Sequence, residues 1–396
     1  MIRTLRIERF KSLVKLELEL GQINVFIGAN GSGKSNLLEG LGVLGAAASG
    51  RVDDEALLRR GVRPGVPRLY KTAFPTKDKV PHLTFGAISN QGARYEVNLW
   101  NPISDPEPAW RFKTERLHDV EGKEVVTRGV KTHGKHNQEQ GLAALGVVNL
   151  GPGNAALTLM DELRAYRIHC PNTPTLRSLV QDQQSQLPVG LAGGRLPEAI
   201  TDILSAAKKN NLLLEVLDEV RDLLDWASDF SAGSSIGLPL SPSAARSPQV
   251  IEFEDRFMAK GRNKLTGYDA SEGALYILFA AVLALHPKSP SCLAVDNLDQ
   301  ALNPRLAQKL MTALCSWTAR LGKKQQWLIT VHNPAILDGL PLTNPEVCLF
   351  TVDRDNHGHT VVRRIDLAEA LKIRPNAEWT LSRMWMNGLL GGVPNV

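Results

Sequence analysis

A glycine-rich segment near the start of the chain holds the residues best suited to chemistry. Gly28-Ala-Asn-Gly-Ser-Gly-Lys-Ser35 has the spacing of a phosphate-binding loop, or P-loop. Its glycines let backbone N–H groups converge on a phosphate, and a following helix adds the positive end of its dipole. Lys34 is expected to reach the β- and γ-phosphates of ATP, and the Ser35 hydroxyl to ligate Mg²⁺. The predicted nucleotide-binding residues in this segment are Gly28, Asn30, Gly31, Ser32, Gly33, Lys34, Ser35 and Asn36.

The neighbouring residues decide between this interpretation and a plain glycine-rich turn. Ile23–Ile27 reads as a buried strand and Asn36–Val43 as the start of a helix. A strand before the loop and a helix after it are what a P-loop requires. The sequence therefore predicts binding of ATP with Mg²⁺.

Two later strands are followed by residues that could also contact Mg²⁺ or phosphate. Leu293–Val295 is apolar and is followed by Asp296, which would hold Mg²⁺ beside the P-loop. The alternative is an ordinary turn residue at the end of a strand. Trp327–Thr330 precedes His332, which would lie at the same edge of the sheet as the phosphates. A structural histidine is the alternative there.

The pattern of the chain predicts the elements that hold these residues. Period-two alternation predicts an antiparallel sheet, and apolar strands alternating with helices predict a second, mainly parallel sheet. The predicted strands lie at 2–9, 13–20, 22–27, 82–88, 92–100, 110–116, 250–257, 292–296, 327–331, 346–352 and 360–365, and the main later helices near 272–286 and 304–321. Residues 118–155 read as a loop, and 231–249 as a flexible connection. Leu196–Asp229 carries apolar residues at helical spacing.

Composition limits the class of protein. The chain has 396 residues, of which 43% are hydrophobic and 22% charged, as in a globular protein. No stretch approaches the roughly 18 apolar residues of a membrane span. Four cysteines without close pairs favour a reducing cytoplasm over a zinc site or disulfides. The net charge of +5 permits contact with DNA, for which four basic residues are the candidates. They are Lys131, Lys135, Lys208 and Lys209.

With these residues in place, the chain resembles the RecF/SMC-like ABC-type ATPases. It is most similar to the stand-alone AAA_21/OLD-like ATPases of prokaryotic antiviral defence operons. Ile7–Ser12 resembles the opening segment of that family, whose basic residue, here Lys11, approaches the nucleotide. Tyr268–Gly273 resembles the signature segment. The resemblance implies that Ser271 and Gly273 grip the γ-phosphate bound to a second subunit.

The other parts of the resemblance lie later in the chain. Asp296–Asn303 is similar to the SMC-type Walker B motif and D-loop, and His332 matches the switch histidine. Arg164–Thr173 resembles a segment common in the AAA_21 group, and no chemistry is assigned to it. Asp296, Asn297 and His332 are thus the predicted catalytic residues, with Ser35 and Asp296 the predicted Mg²⁺ ligands.

Asn297 is the main departure from the family pattern, since it stands where the family usually has a glutamate that activates water. An amide can orient water but cannot accept its proton near neutral pH. Loss of a general base typically lowers the rate about 10²–10⁴-fold. Hydrolysis is then slow, or Asp299 or His332 substitutes. A third hypothesis is that Asn297 is only a structural residue at the end of a strand.

The resemblance implies a two-lobed α/β ABC-type P-loop ATPase head, with mixed and antiparallel sheets and a helical insertion. Residues 1–155 would form its N-terminal part with the P-loop. Residues 156–235 would form the insertion, and 250–396 the C-terminal part with the signature, Walker B motif and switch histidine. Because the signature segment acts in trans, a homodimer or higher homo-oligomer is expected.

Two functions follow from these hypotheses. In the first, ATP binding locks a dimer of an antiviral defence system that senses or holds a separately encoded effector, a nuclease or toxin, with slow hydrolysis. In the second, the chain is a DNA-stimulated ATPase of DNA repair or recombination. Asn297 favours the first, while Lys34, Ser35, Asp296 and His332 keep the second open. Both are expected to act in the cytoplasm, without a membrane partner.

Overall fold

The structure is a computed structural model that describes residues 1–74, 81–129, 137–147, 150–236, 248–322, 324–373 and 378–392. Its strands are β1 (Ile2–Phe10), β2 (Leu13–Glu19), β3 (Ile23–Ile27), β4 (Leu83–Ser89), β5 (Arg94–Trp100), β6 (Arg111–His118), β7 (Glu124–Arg128), β8 (Arg167–His169), β9 (Ala227–Ser234), β10 (Gln249–Asp255), β11 (Lys264–Thr266), β12 (Cys292–Val295), β13 (Gln326–Thr330), β14 (Val347–Arg354) and β15 (Thr360–Arg364). Its helices are α1 (Lys34–Ala48), α2 (Asp54–Leu58), α3 (Pro67–Tyr70), α4 (Ala143–Gly146), α5 (Ala155–Ala165), α6 (Thr173–Leu176), α7 (Leu196–Ala207), α8 (Asn211–Leu223), α9 (Glu272–Leu285), α10 (Pro304–Arg320), α11 (Leu367–Lys372) and α12 (Leu381–Met386), with a 3₁₀ helix at Pro334–Gly339.

The first sheet is antiparallel and has the order β2-β1-β4-β5-β6-β7. Side chains along β2 alternate between buried and exposed, because one face of the sheet packs on the core and the other meets solvent. Its inward residues, such as Ile7 and Phe85, share one hydrophobic cluster with Leu38 and Leu41 of α1. This sheet therefore packs on the helix that follows the P-loop.

The central sheet has the order β15-β14-β3-β13-β12-β8 and is parallel except for β15. All five residues of β3 are buried, as expected for a parallel strand covered on both faces. Val25 belongs to the cluster that contains α9 and α10, whereas its neighbour Phe26 belongs to the cluster that contains α1. The central sheet thus separates two cores. The predicted fold class, mixed and antiparallel sheets with helices, is confirmed.

Helix α9 is deeply buried, with all residues from Ala274 to Leu285 in the core. It is apolar on every side because it lies inside the core, not because it meets lipid. None of the described helices combines the length and apolarity needed to cross a bilayer.

Three expectations about local structure were wrong. Residues 118–155, predicted as a loop, contain β7 and α4, because β7 gains its hydrogen bonds as the edge strand beside β6. The helical pattern predicted to Asp229 ends at Leu223, and β9 begins at Ala227. The connection predicted at 231–249 begins inside β9, which pairs with β10; residues 237–247 lie outside the described residues. For β7 and β9, pairing with a neighbouring strand determined the structure, and the local sequence pattern did not.

The region 156–235 contains helices, as expected, but also strands of two sheets. Helix α5 packs on α1, and β8 pairs with β12 in the central sheet. Helices α7 and α8 pack against α9. The proposed division into 1–155, 156–235 and 250–396 stays a prediction.

Candidate nucleotide-binding site

The order of the central sheet brings the predicted site together. Strands β3, β13 and β12 are parallel neighbours, so their carboxyl ends meet at one edge of the sheet. The P-loop follows β3, His332 follows β13, and Asp296 follows β12. Ligands of open α/β sheets bind at this edge.

The backbone of the P-loop depends on its glycines. Gly31 and Gly33 have φ angles of +78° and +113°, which L-residues with a side chain rarely adopt. A Cβ at Gly33 would also lie 2.2 Å from Thr360 Oγ1. Asn30 and Gly31 are exposed at the mouth of the loop, while Ser32 is buried. The loop therefore presents its backbone to a ligand.

Lys34 lies across the loop. Its Nζ donates hydrogen bonds to the carbonyls of Gly28 (2.7 Å) and Ala29 (3.1 Å). Burial lowers the pKa of Lys34, and the negative charges of Asp296 and Asp299 oppose that shift. The three charges therefore lie close enough to interact.

The two predicted Mg²⁺ ligands touch. Ser35 Oγ donates a hydrogen bond of 2.9 Å to Asp296 Oδ2, across 261 residues of sequence. Thr330 Oγ1 donates to the other carboxylate oxygen of Asp296. A hydroxyl and a carboxylate at contact distance are the hard oxygen donors that Mg²⁺ prefers alongside phosphates and water. These residues fit the metal.

Asn297 adopts a left-handed backbone conformation, with φ +60°. Asparagine tolerates this conformation better than most residues. Its N–H donates to Thr330 Oγ1 at 2.9 Å, so Thr330 bridges Asp296 and Asn297. The left-handed backbone and the hydrogen bond to Thr330 explain structurally why asparagine stands at position 297. A part for Asn297 in orienting water stays a hypothesis. Sequence reasoning missed Thr330, although it ends the strand that precedes His332.

Asp299 positions the loop that carries the histidine. Its Oδ2 accepts hydrogen bonds from the backbone N–H groups of His332 (2.7 Å) and Asn333. Asp299 is buried, with 4% of its surface exposed. The other carboxylate oxygen, Oδ1, is buried and has no hydrogen-bond partner among the described residues. The two amide contacts give Asp299 a positioning role, and its part as a substitute base stays a hypothesis.

His332 is exposed at the edge of the sheet. Partial desolvation of its ring and the nearby charge of Lys34 lower its pKa, against the opposite influence of Asp299 and Asp296. The imidazole is therefore neutral at pH 7. A neutral imidazole has one donor and one acceptor nitrogen, which suits a contact with phosphate or water.

Lys11 lies beside α1 in a charged cluster. Its ammonium pairs with Glu39, which is buried, and lies 5.1 Å from the ring centroid of Tyr70. Arg63 pairs with the same carboxylate and donates to Asn36 Oδ1 at 3.3 Å. Burial lowers the pKa of Lys11. Arg63 and Glu39 were missed because no motif marks them.

The outer side of the P-loop is held by residues from both ends of the chain. Asn36 Nδ2 donates to Ser12 Oγ at 2.7 Å, and the hydroxyls of Ser12 and Thr360 lie 2.7 Å apart. Thr360 Oγ1 donates to the carbonyl of Ser32 at 2.6 Å. Arg354 Nε donates to the carbonyl of Gly31 at 2.9 Å. No sequence signal could have identified a contact between residues 348 positions apart.

The signature segment lies elsewhere. Ser271 is exposed and caps α9, with its Oγ accepting from the N–H of Ala274 at 3.4 Å. A Cβ at Gly273 would lie 3.3 Å from the carbonyl of Ala301, within the segment that resembles the D-loop. Ser271 is thus bonded to its own helix and stays open to a second molecule.

His169 adjoins Asp296 from the other side. Its carbonyl accepts the N–H of Asp296 at 2.8 Å, and its Nδ1 lies 3.1 Å from the carbonyl of Gly190. Complete burial lowers its pKa to about 4. Cys170, the next residue, is exposed; partial desolvation of its thiol and the negative charge of Asp296 raise its pKa. The segment Arg164–Thr173, to which the sequence assigned no chemistry, therefore borders the site.

Parts of the chain are similar in sequence to known proteins, and its fold is similar to a solved structure. Residues 23–124 match the family described as "AAA domain, putative AbiEii toxin, Type IV TA system". A 62-residue segment is 44% identical to the DNA replication and repair protein RecF of Corynebacterium jeikeium (strain K411), and it spans 15% of each chain. The fold is similar to that of an Smc head solved with the C-winged helix domain of ScpA. That likeness has a TM-score of 0.54 and 15% identity, and covers 94% of this chain and 99% of the other.

The burial of His169 predicts how stability depends on pH. Its pKa is about 4 in the folded protein and 6.5 in the unfolded chain, so the unfolded chain binds more protons between these values. Lowering the pH from 7 to 5 is expected to cost about 2 kcal/mol of unfolding free energy through this residue. His169→Asn keeps a donor for Gly190 and does not titrate. Urea denaturation of both proteins at the two pH values measures the difference, and equal losses would contradict it.

Proposed function

We propose that the chain, a RecF/SMC-like ABC-type ATPase, binds ATP with Mg²⁺ at the P-loop and uses it to join two copies. The contact that supports this most is the 2.9 Å hydrogen bond between Ser35 and Asp296, with Lys34 across the same loop. Bound Mg²⁺ would neutralise triphosphate charge, and Ser35 and Asp296 would hold it. Lys34 would turn from the carbonyls of Gly28 and Ala29 to the phosphates.

Association of two copies would complete the site. Ser271 and Gly273 open α9, whose first turn has backbone N–H groups available to a phosphate. Ser271 is exposed, so a second molecule could reach it. A second copy would therefore bring its signature segment onto the γ-phosphate held by the first. The resulting assembly is a homodimer with two bound nucleotides, or a higher homo-oligomer built from such dimers.

Hydrolysis by this assembly would be slow. Asn297 lies next to Asp296, where a base would be needed, and an amide does not accept a proton from water. Asp299 is buried and its Oδ2 holds two backbone amides, whereas His332 is exposed at the sheet edge and is the better placed substitute base. The ATP-bound dimer would then persist for long periods and act as a switch rather than as a rapid catalyst.

The partner would be a separately encoded effector of an antiviral defence system. The matched family description names a toxin and a toxin–antitoxin system, which supports an assembly of ATPase and toxin or nuclease. The Smc head with a similar fold was solved with a winged-helix domain of another protein, ScpA. The ATP-locked dimer would hold the effector in the cytoplasm and release it on a trigger.

Contact with DNA, as in a repair or recombination ATPase, is the second candidate, and one surface favours it. Trp100 has Lys113 Nζ, the guanidinium of Arg111 and Lys71 Nζ at 4.6, 5.5 and 5.9 Å from its ring centroid. Burial and the charges of Arg9, Lys113 and Lys71 lower the pKa of nearby His82. A ring surrounded by cations suits phosphates and an unstacked base. We call Lys71, Trp100, Arg111 and Lys113 the Trp100 patch.

The association proposal predicts a nucleotide-dependent mass. Light scattering with ATP and Mg²⁺ is expected to show a dimer or larger assembly for the wild type. Lys34→Ala should bind labelled ATP at least tenfold more weakly, about 1.4 kcal/mol, and should not associate. Ser271→Arg should bind ATP normally but stay monomeric, because the larger cation occupies the contact surface.

Ser231→Arg, an exposed serine on β9, is the matched control and should associate like the wild type. A wild type that is monomeric under all conditions would contradict the proposal. So would an assembly that Ser271→Arg leaves intact.

The slow-switch proposal predicts a gain of activity. Asn297→Glu supplies a carboxylate beside the expected water position and should raise kcat tenfold or more. Asn297→Gln has the same length without a base, and should stay at the wild-type rate or below. Phosphate release by the wild type, these two variants and Asn297→Ala is the measurement. Fast hydrolysis by the wild type that survives in Asn297→Ala would mean that another residue is the base.

The DNA-binding proposal is tested by comparing a variant of the Trp100 patch with a variant of the basic residues that the sequence suggested. Of those, Lys208 and Lys209 lie at the end of α7, and Lys131 and Lys135 lie outside the described residues. Lys113→Ala should weaken DNA binding and lower the slope of log affinity against log salt by about 1. Lys208→Ala should leave both unchanged. Absence of binding to single- or double-stranded DNA at ~50 mM salt with ATP would exclude this candidate.

A further inference from the structure

Two aromatic rings meet beside the P-loop without a part in the phosphate and metal chemistry. The ring centroids of Phe74 and His359 lie 5.0 Å apart at an interplanar angle of 70°. The ring centroid of His357 lies 5.8 Å from that of His359. Phe74 and the side chain of His359 are each partly exposed. The pair therefore offers ring surface to a ligand.

The hairpin formed by β14 and β15 fixes one member of the pair to the rim of the P-loop. His359 precedes Thr360, whose hydroxyl donates to the carbonyl of Ser32. Arg354, before the same turn, donates to the carbonyl of Gly31. Asp355 Oδ1 accepts the N–H of His359 at 2.8 Å, and its Oδ2 lies 3.3 Å from His359 Nδ1. The imidazole is thus held in one orientation.

The other member comes from the segment beside the turn between β1 and β2. Thr72 N donates to the carbonyl of Arg9 at 3.0 Å, and Lys11 N donates to the carbonyl of Tyr70 at 2.7 Å. Phe74, two residues after Thr72, packs on the tip of the hairpin, where a Cβ at Gly358 would lie 3.1 Å from its ring. Phe74 and His359 therefore lie beyond Ser12 and Thr360 at the outer rim of the P-loop.

The sheet order indicates which part of a nucleotide reaches this place. Asp296 and His332 follow β12 and β13, on one side of β3, whereas β14 and β15 lie on the other side. A triphosphate whose γ end lies with Mg²⁺ at Asp296 must extend its nucleoside end away from that residue. The row of contacts from Asn36 through Ser12 to Thr360 leads from the first turn of α1 to the aromatic pair.

We propose that Phe74, whose ring meets His359 nearly edge to face, forms a platform on which the base of the bound nucleotide stacks. The inference rests on the proposed binding of ATP at the P-loop and adds the part of the site that recognises the nucleoside. Stacking depends on ring area rather than on the hydrogen-bonding edge of a base. The ligand class is therefore purine nucleoside triphosphates, and ATP and GTP bind more tightly than CTP or UTP.

Inorganic tripolyphosphate separates the base from the phosphates. Calorimetric titration with Mg²⁺ compares ATP and tripolyphosphate on the wild type and on Phe74→Ala. ATP binding should weaken roughly 5- to 150-fold, the range found when a stacking aromatic is replaced by alanine. Tripolyphosphate binding should change less than twofold. Phe74→Trp, which keeps a ring, should bind ATP like the wild type, and His359→Ala should resemble Phe74→Ala.

Phe257→Ala is the matched control, because Phe257 is 78% exposed in the turn between β10 and β11, and the variant should bind ATP like the wild type. Equal weakening of ATP and tripolyphosphate in Phe74→Ala would mean that Phe74 only supports the loop, and would overturn the platform. Unchanged ATP affinity in Phe74→Ala would overturn it as well. A wild type that binds neither ligand would instead refute ATP binding at the P-loop, and the platform with it.

Discussion

The carboxylate of Asp296 is the group on which the site depends. It accepts hydroxyl hydrogen bonds from Ser35, at the start of α1, and from Thr330, at the end of β13. Its charge also offsets the burial of Lys34. A buried ammonium is costly without a nearby anion. The carboxyl ends of β3, β13 and β12 must therefore lie at one level, because this places Asp296 close enough to Lys34 to stabilise its charged form.

The same edge of the sheet explains why the surrounding polar residues come from distant parts of the chain. Asp299 orders the loop of His332, and Thr360 and Ser12 support the P-loop from outside. Each of these side chains bonds to backbone groups or hydroxyls rather than to an opposite charge. Such contacts fix geometry at modest electrostatic cost. The charged residues beside the P-loop, Lys34 and Asp296, remain available to a ligand.

Much of this architecture could be predicted from local sequence, and the exceptions have a common cause. The P-loop, Asp296 and His332 follow strands whose apolar runs are unambiguous, so both the elements and their shared edge were predictable. Strands β7 and β9 have weak local patterns and exist through pairing with β6 and β10. The supporting contacts to Thr330, Thr360 and Glu39 depend on the packing of distant segments. The left-handed backbone of Asn297 likewise has no signature in its neighbours.

The hydrogen bonds on the outer side of the P-loop have a kinetic consequence. Ser32 and Gly31 are tied to the β14–β15 hairpin through Thr360 and Arg354, so the loop is ordered without help from its ligand. Little conformational entropy remains to be lost when phosphates arrive. Nucleotide exchange is then governed by the breaking of phosphate contacts, with no refolding step in between. With the slow hydrolysis proposed above, that dissociation rate would set the residence time of the nucleotide.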